Sequence, residues 1–252
     1  MKYKALVTSG SKGLGKSVVE KLVNNGIKTF FTSSSKKNIT SIEKELGKSC
    51  VGVKCNIFEG KDVENLLKTI EKEEFDILVI NSPGPKAGEV FEITDEDWKS
   101  HFDSIFLNPV KIIEKCAKIM MKKRYGRILV ITSVSVKKPI DNLLISNCLR
   151  AALTSYVKSL AKKVASFGIT VNTIAPGYTL TDRVKFLIED KMKRENKKYE
   201  EVYSSIANII PAKRIADVEE FANAAYFLVS KEASYITGTS LVVDGGLTEY
   251  PF

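Results

Sequence analysis

The chain carries a single histidine, His101, among its 252 residues. A Ser-His-Asp triad would rest on that residue alone, and a metal site with several histidine ligands is excluded. Cysteine is almost as scarce. Cys50, Cys55, Cys116 and Cys148 form no C-x-x-C pair, so neither a zinc ribbon nor a dithiol redox motif is expected. All four, Cys148 included, read as reduced packing thiols. No apolar run approaches the ~18 residues of a membrane span. Ala5-Leu6-Val7-Thr8 leads straight into a glycine loop, with no room for a secretory h-region. The expectation is a cytoplasmic protein without a membrane partner. A basic tail is missing as well. The formal charge of +9 is spread over small groups such as Lys36-Lys37, Lys122-Lys123-Arg124 and Lys162-Lys163. Such groups read as solvated helix faces, and no nucleic-acid partner is expected.

What is present is an ordinary globular composition, 44% hydrophobic and 27% charged, long enough for one large core. Short β-branched or aromatic runs lie at Ala5–Thr8, Ile27–Thr32, Cys50–Lys54, Ile77–Ile80, Ile128–Thr132, Ile169–Ile174 and Leu241–Val243. Most are apolar throughout, as strands buried on both faces should be. Helical patterns alternate with them near 15–25, 39–46, 62–73, 95–122, 142–167, 182–195 and 217–229. Thr94 is placed as an N-cap, and Asn25-Gly26 and Gly168 as C-caps. This alternation predicts an α/β fold: one doubly wound Rossmann domain over 1–252, with a seven-stranded parallel sheet and helices on both faces. The segment about 178–212 breaks the alternation and reads as a helical insertion covering the sheet's carboxyl edge.

The first strand runs into Thr8-Ser9-Gly10-Ser11-Lys12-Gly13-Leu14-Gly15, and a helix follows. Glycines in such a turn let backbone N–H groups approach a pyrophosphate at the positive end of the helix, so Ser9, Ser11, Lys12, Gly13 and Leu14 are candidate dinucleotide contacts. The second strand ends at Thr32-Ser33-Ser34-Ser35-Lys36-Lys37, with no Asp or Glu between Ile27 and Ile42. An acidic residue there would bind a ribose 2′-hydroxyl and repel a 2′-phosphate. Ser33, Ser34, Lys36 and Lys12 instead suit a phosphate, so NADP(H) is preferred over NAD(H).

On these features the chain resembles the classical short-chain dehydrogenase/reductase family over almost its full length. Thr8 to Gly15 matches the family's T-G-x-x-x-G-x-G loop, with Ser9 in place of the first glycine. Asn56, followed by Ile57, corresponds to the residues that meet adenine, and Asn81 lies in a degenerate N-N-A-G motif. Pro176-Gly177 is the family's P-G motif, which places Thr179 and Thr181 near the carboxamide and phosphates. The resemblance implies a homo-oligomer, dimer or tetramer, with the long helices near 95–122 and 142–167 at one interface.

The family's Asn-Ser-Tyr-Lys chemistry is only partly kept. Ser133 matches the serine after the fifth strand. The Tyr-x-x-x-Lys positions hold Ser146 and Arg150, and none of the nine tyrosines has Lys four residues later. The asparagine position is Ile105. A serine hydroxyl is a far weaker acid than the tyrosine it replaces. Arg150, one turn along the same helix face, keeps the positive charge and suits ribose hydroxyls, but gives up no proton. The resemblance implies a kinked helix whose main-chain carbonyl at the asparagine position holds a relay water; Pro109 has no N–H for the Ile105 carbonyl, so it should kink the helix there and leave the carbonyl for a water bridging to Arg150. Tyr178, directly after Pro176-Gly177, is a candidate proton donor or substrate clamp, and Ser135 a second contact. The reading is therefore an NADP(H)-dependent oxidoreductase with catalytic candidates Ser133, Ser146, Arg150 and Tyr178. It would act on a carbonyl or alcohol, as a 3-oxoacyl-acyl-carrier-protein reductase or a sugar or alcohol dehydrogenase does. Its substrate would be a small molecule or linked to an acyl carrier. A catalytically silent NADP(H)-binding sensor or assembly partner is the alternative.

Overall fold

The apolar runs become seven parallel strands: β1 Lys4–Val7, β2 Lys28–Ser33, β3 Cys50–Lys54, β4 Ile77–Ile80, β5 Gly126–Ile131, β6 Ile169–Pro176 and β7 Ser240–Val243. They form one sheet in the order β3-β2-β1-β4-β5-β6-β7. The computed structural model describes residues 3–249, apart from the side chains of 183, 186, 187 and 190; residues 1–2 and 250–252 of the expected unit lie outside the described residues.

Both faces of the sheet are covered, which is why the strands lack a polar alternation. Leu6, Leu78, Ile80, Ile128 and Val130 point to one core, shared with α3 Gly60–Glu73, α5 Asn108–Lys123 and α6 Leu144–Val164. Their neighbours Ala5, Val7, Ile77, Val79 and Leu129 point to the other, shared with α1 Gly13–Asn24, α2 Lys36–Leu46 and α9 Val218–Val229. The chain leaves β1 toward β2 on one side and returns to β4 on the other. That reversal opens a crevice at the carboxyl ends of β1 and β4, where α/β sheets bind their ligands.

Helix ends follow the local chemistry. Thr94 caps α4 Asp95–Phe102 with a reciprocal box to Asp97. Gly26 and Gly168 take left-handed backbone as the chain leaves α1 and the turn after α6. Between α4 and α5 the helix does not break at Pro109; it widens into one π turn, Asp103–Leu107, and Pro109 sits in the first turn of α5. The insertion resolves into two helices, α7 Asp182–Glu195 and α8 Tyr199–Ile209. They carry a small core of their own around Ile188, Val202, Ile210 and Ile215. Three cysteines are buried as expected. Cys148 is not: it is exposed on α6, because the inward face of that turn is taken by Ile145, Ser146, Leu149 and Arg150. Among the described residues, no helix is long and apolar enough to cross a membrane, and no three His, Cys, Asp or Glu side chains gather to hold a metal.

Candidate active site

The glycine loop is pinned from two neighbouring strands. The Ser9 N–H donates to Thr32 Oγ1 at 2.8 Å, and the Gly10 N–H donates to the Thr32 carbonyl at 2.9 Å. Thr8 and Asn81 bond reciprocally: Thr8 Oγ1 donates to the Asn81 carbonyl at 2.7 Å, and the Asn81 N–H donates back to Thr8 Oγ1 at 2.9 Å. Asn81 Nδ2 also donates to the Ser9 carbonyl at 3.1 Å. Asn81 thus shapes the loop rather than only lining it. These bonds hold Ser9 at φ +45°, a conformation that favours the glycine it replaces.

The geometry fits a dinucleotide. Lys12 stands at the N-cap of α1 without a side-chain cap, and no acidic residue occupies the first turn. The orphan N–H groups of that turn therefore have no side-chain rival for an anion. A Cβ on Gly15 would lie 2.5 Å from the Ser9 carbonyl oxygen and 2.7 Å from Asn81 Nδ2, so the helix start comes as close as glycine allows. A Cβ on Gly13 would touch Thr181, which brings the start of the insertion over the loop. Leu14 packs among the α1-side core residues.

At the end of β2, Ser33 Oγ donates to Ser11 Oγ at 2.9 Å and accepts the Ser35 N–H at 3.2 Å. Ser34, Lys36 and Lys12 are exposed around that pair. The adenine-side candidates are turned inward. Asn56 Oδ1 accepts the Phe58 N–H within its own turn. The Ile57 side chain is buried in the core, and its carbonyl accepts Asn108 Nδ2 at 2.8 Å. Only the backbone of Ile57 is left to border a ligand. On the far side, the Gly177 N–H donates to the Val243 carbonyl at 2.9 Å, and a Cβ there would press on Asp244. Thr179 follows Pro176-Gly177 fully inside the protein, its Oγ1 without a hydrogen-bond partner among the described residues. An orphaned buried hydroxyl at this position fits a carboxamide contact.

The catalytic candidates Ser133, Ser146 and Arg150 sit on β5's exit and on α6. Ser146 is buried, and Arg150 beside it is 7% exposed. Arg150 Nε donates to Ser146 Oγ at 3.2 Å, and one terminal nitrogen donates to the Ile131 carbonyl at 3.1 Å. The i,i+4 spacing pointed to the first bond; nothing in the sequence pointed to the second, which ties α6 to the end of β5. Burial pulls the Arg150 guanidinium down to about 10, and it stays cationic at neutral pH. Ser133, two residues past Ile131, caps a short turn by accepting the Ser135 N–H at 3.1 Å. Ser135 itself is buried with an unpartnered Oγ. Ile105 packs against Ile145 and Leu149 of α6.

Two loops forming the mouth are laced together, which the sequence did not announce. The Gly88 N–H donates to the Asn142 carbonyl at 3.0 Å, and the Leu144 N–H donates to the Gly88 carbonyl at 3.3 Å. His101 supports the first loop by accepting the Lys86 N–H at Nε2. Tyr178 packs with the insertion's own core, alongside Leu180, Val184 and Ile210. A Tyr178→Phe variant is therefore expected to keep its turnover within about two-fold in steady-state assays, since a packed ring loses only its hydroxyl.

Comparison with known proteins agrees with this layout. Residues 9–248 match the family model described as enoyl-(acyl carrier protein) reductase. The 3-oxoacyl-[acyl-carrier-protein] reductase of Escherichia coli (strain K12) is 34% identical over 245 residues, covering 96% of each chain. Among solved structures, YwfH, an NADPH-dependent reductase involved in bacilysin biosynthesis, superposes with a TM-score of 0.93 at 29% identity, covering 99% of this chain and 100% of that one. L-sorbose reductase from Gluconobacter frateurii, complexed with NADPH and L-sorbose, gives 0.92 at 25% identity, covering 99% and 97%. With the glycine loop, the strand order and these matches together, the chain belongs to the short-chain dehydrogenase/reductase family.

Proposed function

We propose that the chain is an NADPH-dependent reductase of a carbonyl substrate, free or linked to an acyl carrier, working through an atypical Ser-x-x-x-Arg site. The observation that carries this reading is the bond from Arg150 Nε to Ser146 Oγ. A hydroxyl that accepts from a guanidinium has its own hydrogen left to donate, and the cation makes it a stronger donor. Bound NADPH supplies the hydride. Ser146 and Ser133 donate to the carbonyl oxygen, and Arg150 stabilises the negative charge that develops there. Neither serine is acid enough to surrender its proton at neutral pH, so the proton comes from water. The Ile105 carbonyl, which has no N–H partner at Pro109 and lies in the π turn, is the proposed holder of that water together with Arg150.

The preference for NADPH is supported by the Ser33–Ser11 pair, the exposed Lys12 and Lys36 beside it, and the absence of acid through β2 and the start of α2. The NADPH named for YwfH and for L-sorbose reductase agrees. Replacing Lys12 and Lys36 together by alanine should weaken NADPH binding about ten-fold and leave NADH within about two-fold, read by fluorescence titration; two charge-assisted contacts at an exposed site account for roughly that much. Assembly as a dimer or tetramer through α4, α5 and α6 belongs to the same reading and is supported by Phe102, 42% exposed and 5.3 Å from Phe106 on that face.

The function is tested by following NADPH absorbance over a panel of 3-oxoacyl thioesters, sugars and simple ketones. Oxidation with at least one substrate is expected. Tight NADPH binding with no oxidation on any of them would favour the silent cofactor-binding protein instead.

A further inference from the structure

Arg150 is a buried cation without a counter-ion. Its contacts, Ser146 Oγ and the Ile131 carbonyl, are neutral, and no carboxylate pairs with it among the described residues. The stretch from Ser133 to Arg150, which carries the candidates Ser133, Ser146 and Arg150, contains a single acid, Asp141, and that residue is exposed. The same stretch adds Lys137 and Lys138. Burial is the one influence acting on the guanidinium, with no neighbouring charge opposing it. An arginine also has five N–H donors in a planar fork, and two of its nitrogens account for the protein contacts here. Ribose hydroxyls would satisfy remaining donors but not the charge. Close by in the chain, the buried Ser135 Oγ likewise has no partner.

We infer that the substrate is an anion, a carbonyl compound bearing a carboxylate close to the reacting carbon, whose negative charge Arg150 neutralises. This rests on the reductase reading and narrows it from neutral acyl or sugar carbonyls to oxo acids. A carboxylate is chosen over a phosphate because it brings one unit charge to one guanidinium, where a phosphate would bring up to two.

The test has a binding arm and a turnover arm. In calorimetry on the NADPH-loaded protein, butanoate should bind at least ten-fold more tightly than butanamide. The difference should vanish in Arg150→Met and survive in part in Arg150→Lys, with circular dichroism confirming that both variants fold. Equal binding of the two probes by the wild type would overturn the inference, and so would tighter binding of inorganic phosphate than of butanoate. In turnover, acetoacetate should exceed methyl acetoacetate by ten-fold or more in kcat/KM. Equal rates would overturn the inference and leave the reductase reading standing. Selective butanoate binding without NADPH oxidation on either substrate or on any of the thioesters, sugars and ketones above would leave the anion site standing and overturn the reductase reading.

Discussion

Ser146→Ala is expected to lower kcat/KM for carbonyl reduction by about 100-fold while leaving NADPH affinity within about two-fold. Removing one positioned donor to a developing oxyanion typically costs ~10²–10³ in rate. Ser146 is suited to that role because it is buried, sits one helical turn before Arg150, and accepts Nε–H at 3.2 Å. Its hydroxyl hydrogen is then directed away from the guanidinium. The substitution also leaves a buried Nε–H unpaired, so a loss of about 1–3 kcal/mol in stability should accompany the kinetic effect. Steady-state kinetics with a denaturant titration separates the two. An unchanged kcat/KM with reduced stability would make Ser146 a partner of Arg150 and nothing more.

Gly15→Ala should raise the NADPH dissociation constant by about 100-fold, equivalent to about 2.8 kcal/mol. The added Cβ has nowhere to go: 2.5 Å away is the Ser9 carbonyl oxygen, and 2.7 Å away is Asn81 Nδ2. Neither atom is the free end of a flexible chain. The carbonyl belongs to the loop itself, and the amide holds that loop in place. Relief can come only by swinging the loop away from α1 or breaking the Asn81 bond, and both distort the surface that would meet a pyrophosphate. Gly60→Ala, at a helical position with open space around it, is the control and should leave cofactor binding unchanged. Equal NADPH affinity in the Gly15 variant would show that the loop is not the cofactor's seat.

The fold was readable because its signals are local and agree with one another. Strands buried on both faces write themselves as unbroken apolar runs, and Cys50–Lys54 and Ile77–Ile80 were legible to the residue. Caps were equally plain at Thr94 and Gly168, where one side chain or one left-handed glycine decides the helix end. Cys148 failed for a reason of phase: apolar residues flank it, but its direction on α6 points to solvent. For Ile57 a backbone correspondence says nothing of the side chain, which lies in the core.

The site was half legible. Spacing alone put Ser146 and Arg150 on one helix face, and the missing acid in β2's exit needed no structure. What the sequence could not show were the long-range main-chain partners: the Ile131 carbonyl for Arg150, the Ser9 carbonyl for Asn81, and the Gly88–Asn142 lacing of the mouth. Carbonyl positions depend on strand register and loop path, and no residue type advertises them. The Pro109 effect was legible in kind but not in form. A missing N–H favours some departure from α geometry, and whether the chain breaks, kinks or widens into a π turn depends on long-range packing that the residue types do not spell out; here a π turn carries Ile105 against α6.

The central claim, hydride delivery to a carbonyl at a site without the usual tyrosine, is tested most directly with NADPH carrying deuterium at both C4 positions and a panel of oxo acids, 3-oxoacyl thioesters, sugars and simple ketones. Mass spectrometry of the product should show one deuterium on the former carbonyl carbon for each NADPH consumed. An unlabelled product, or NADPH recovered unchanged from a saturated complex, would contradict it.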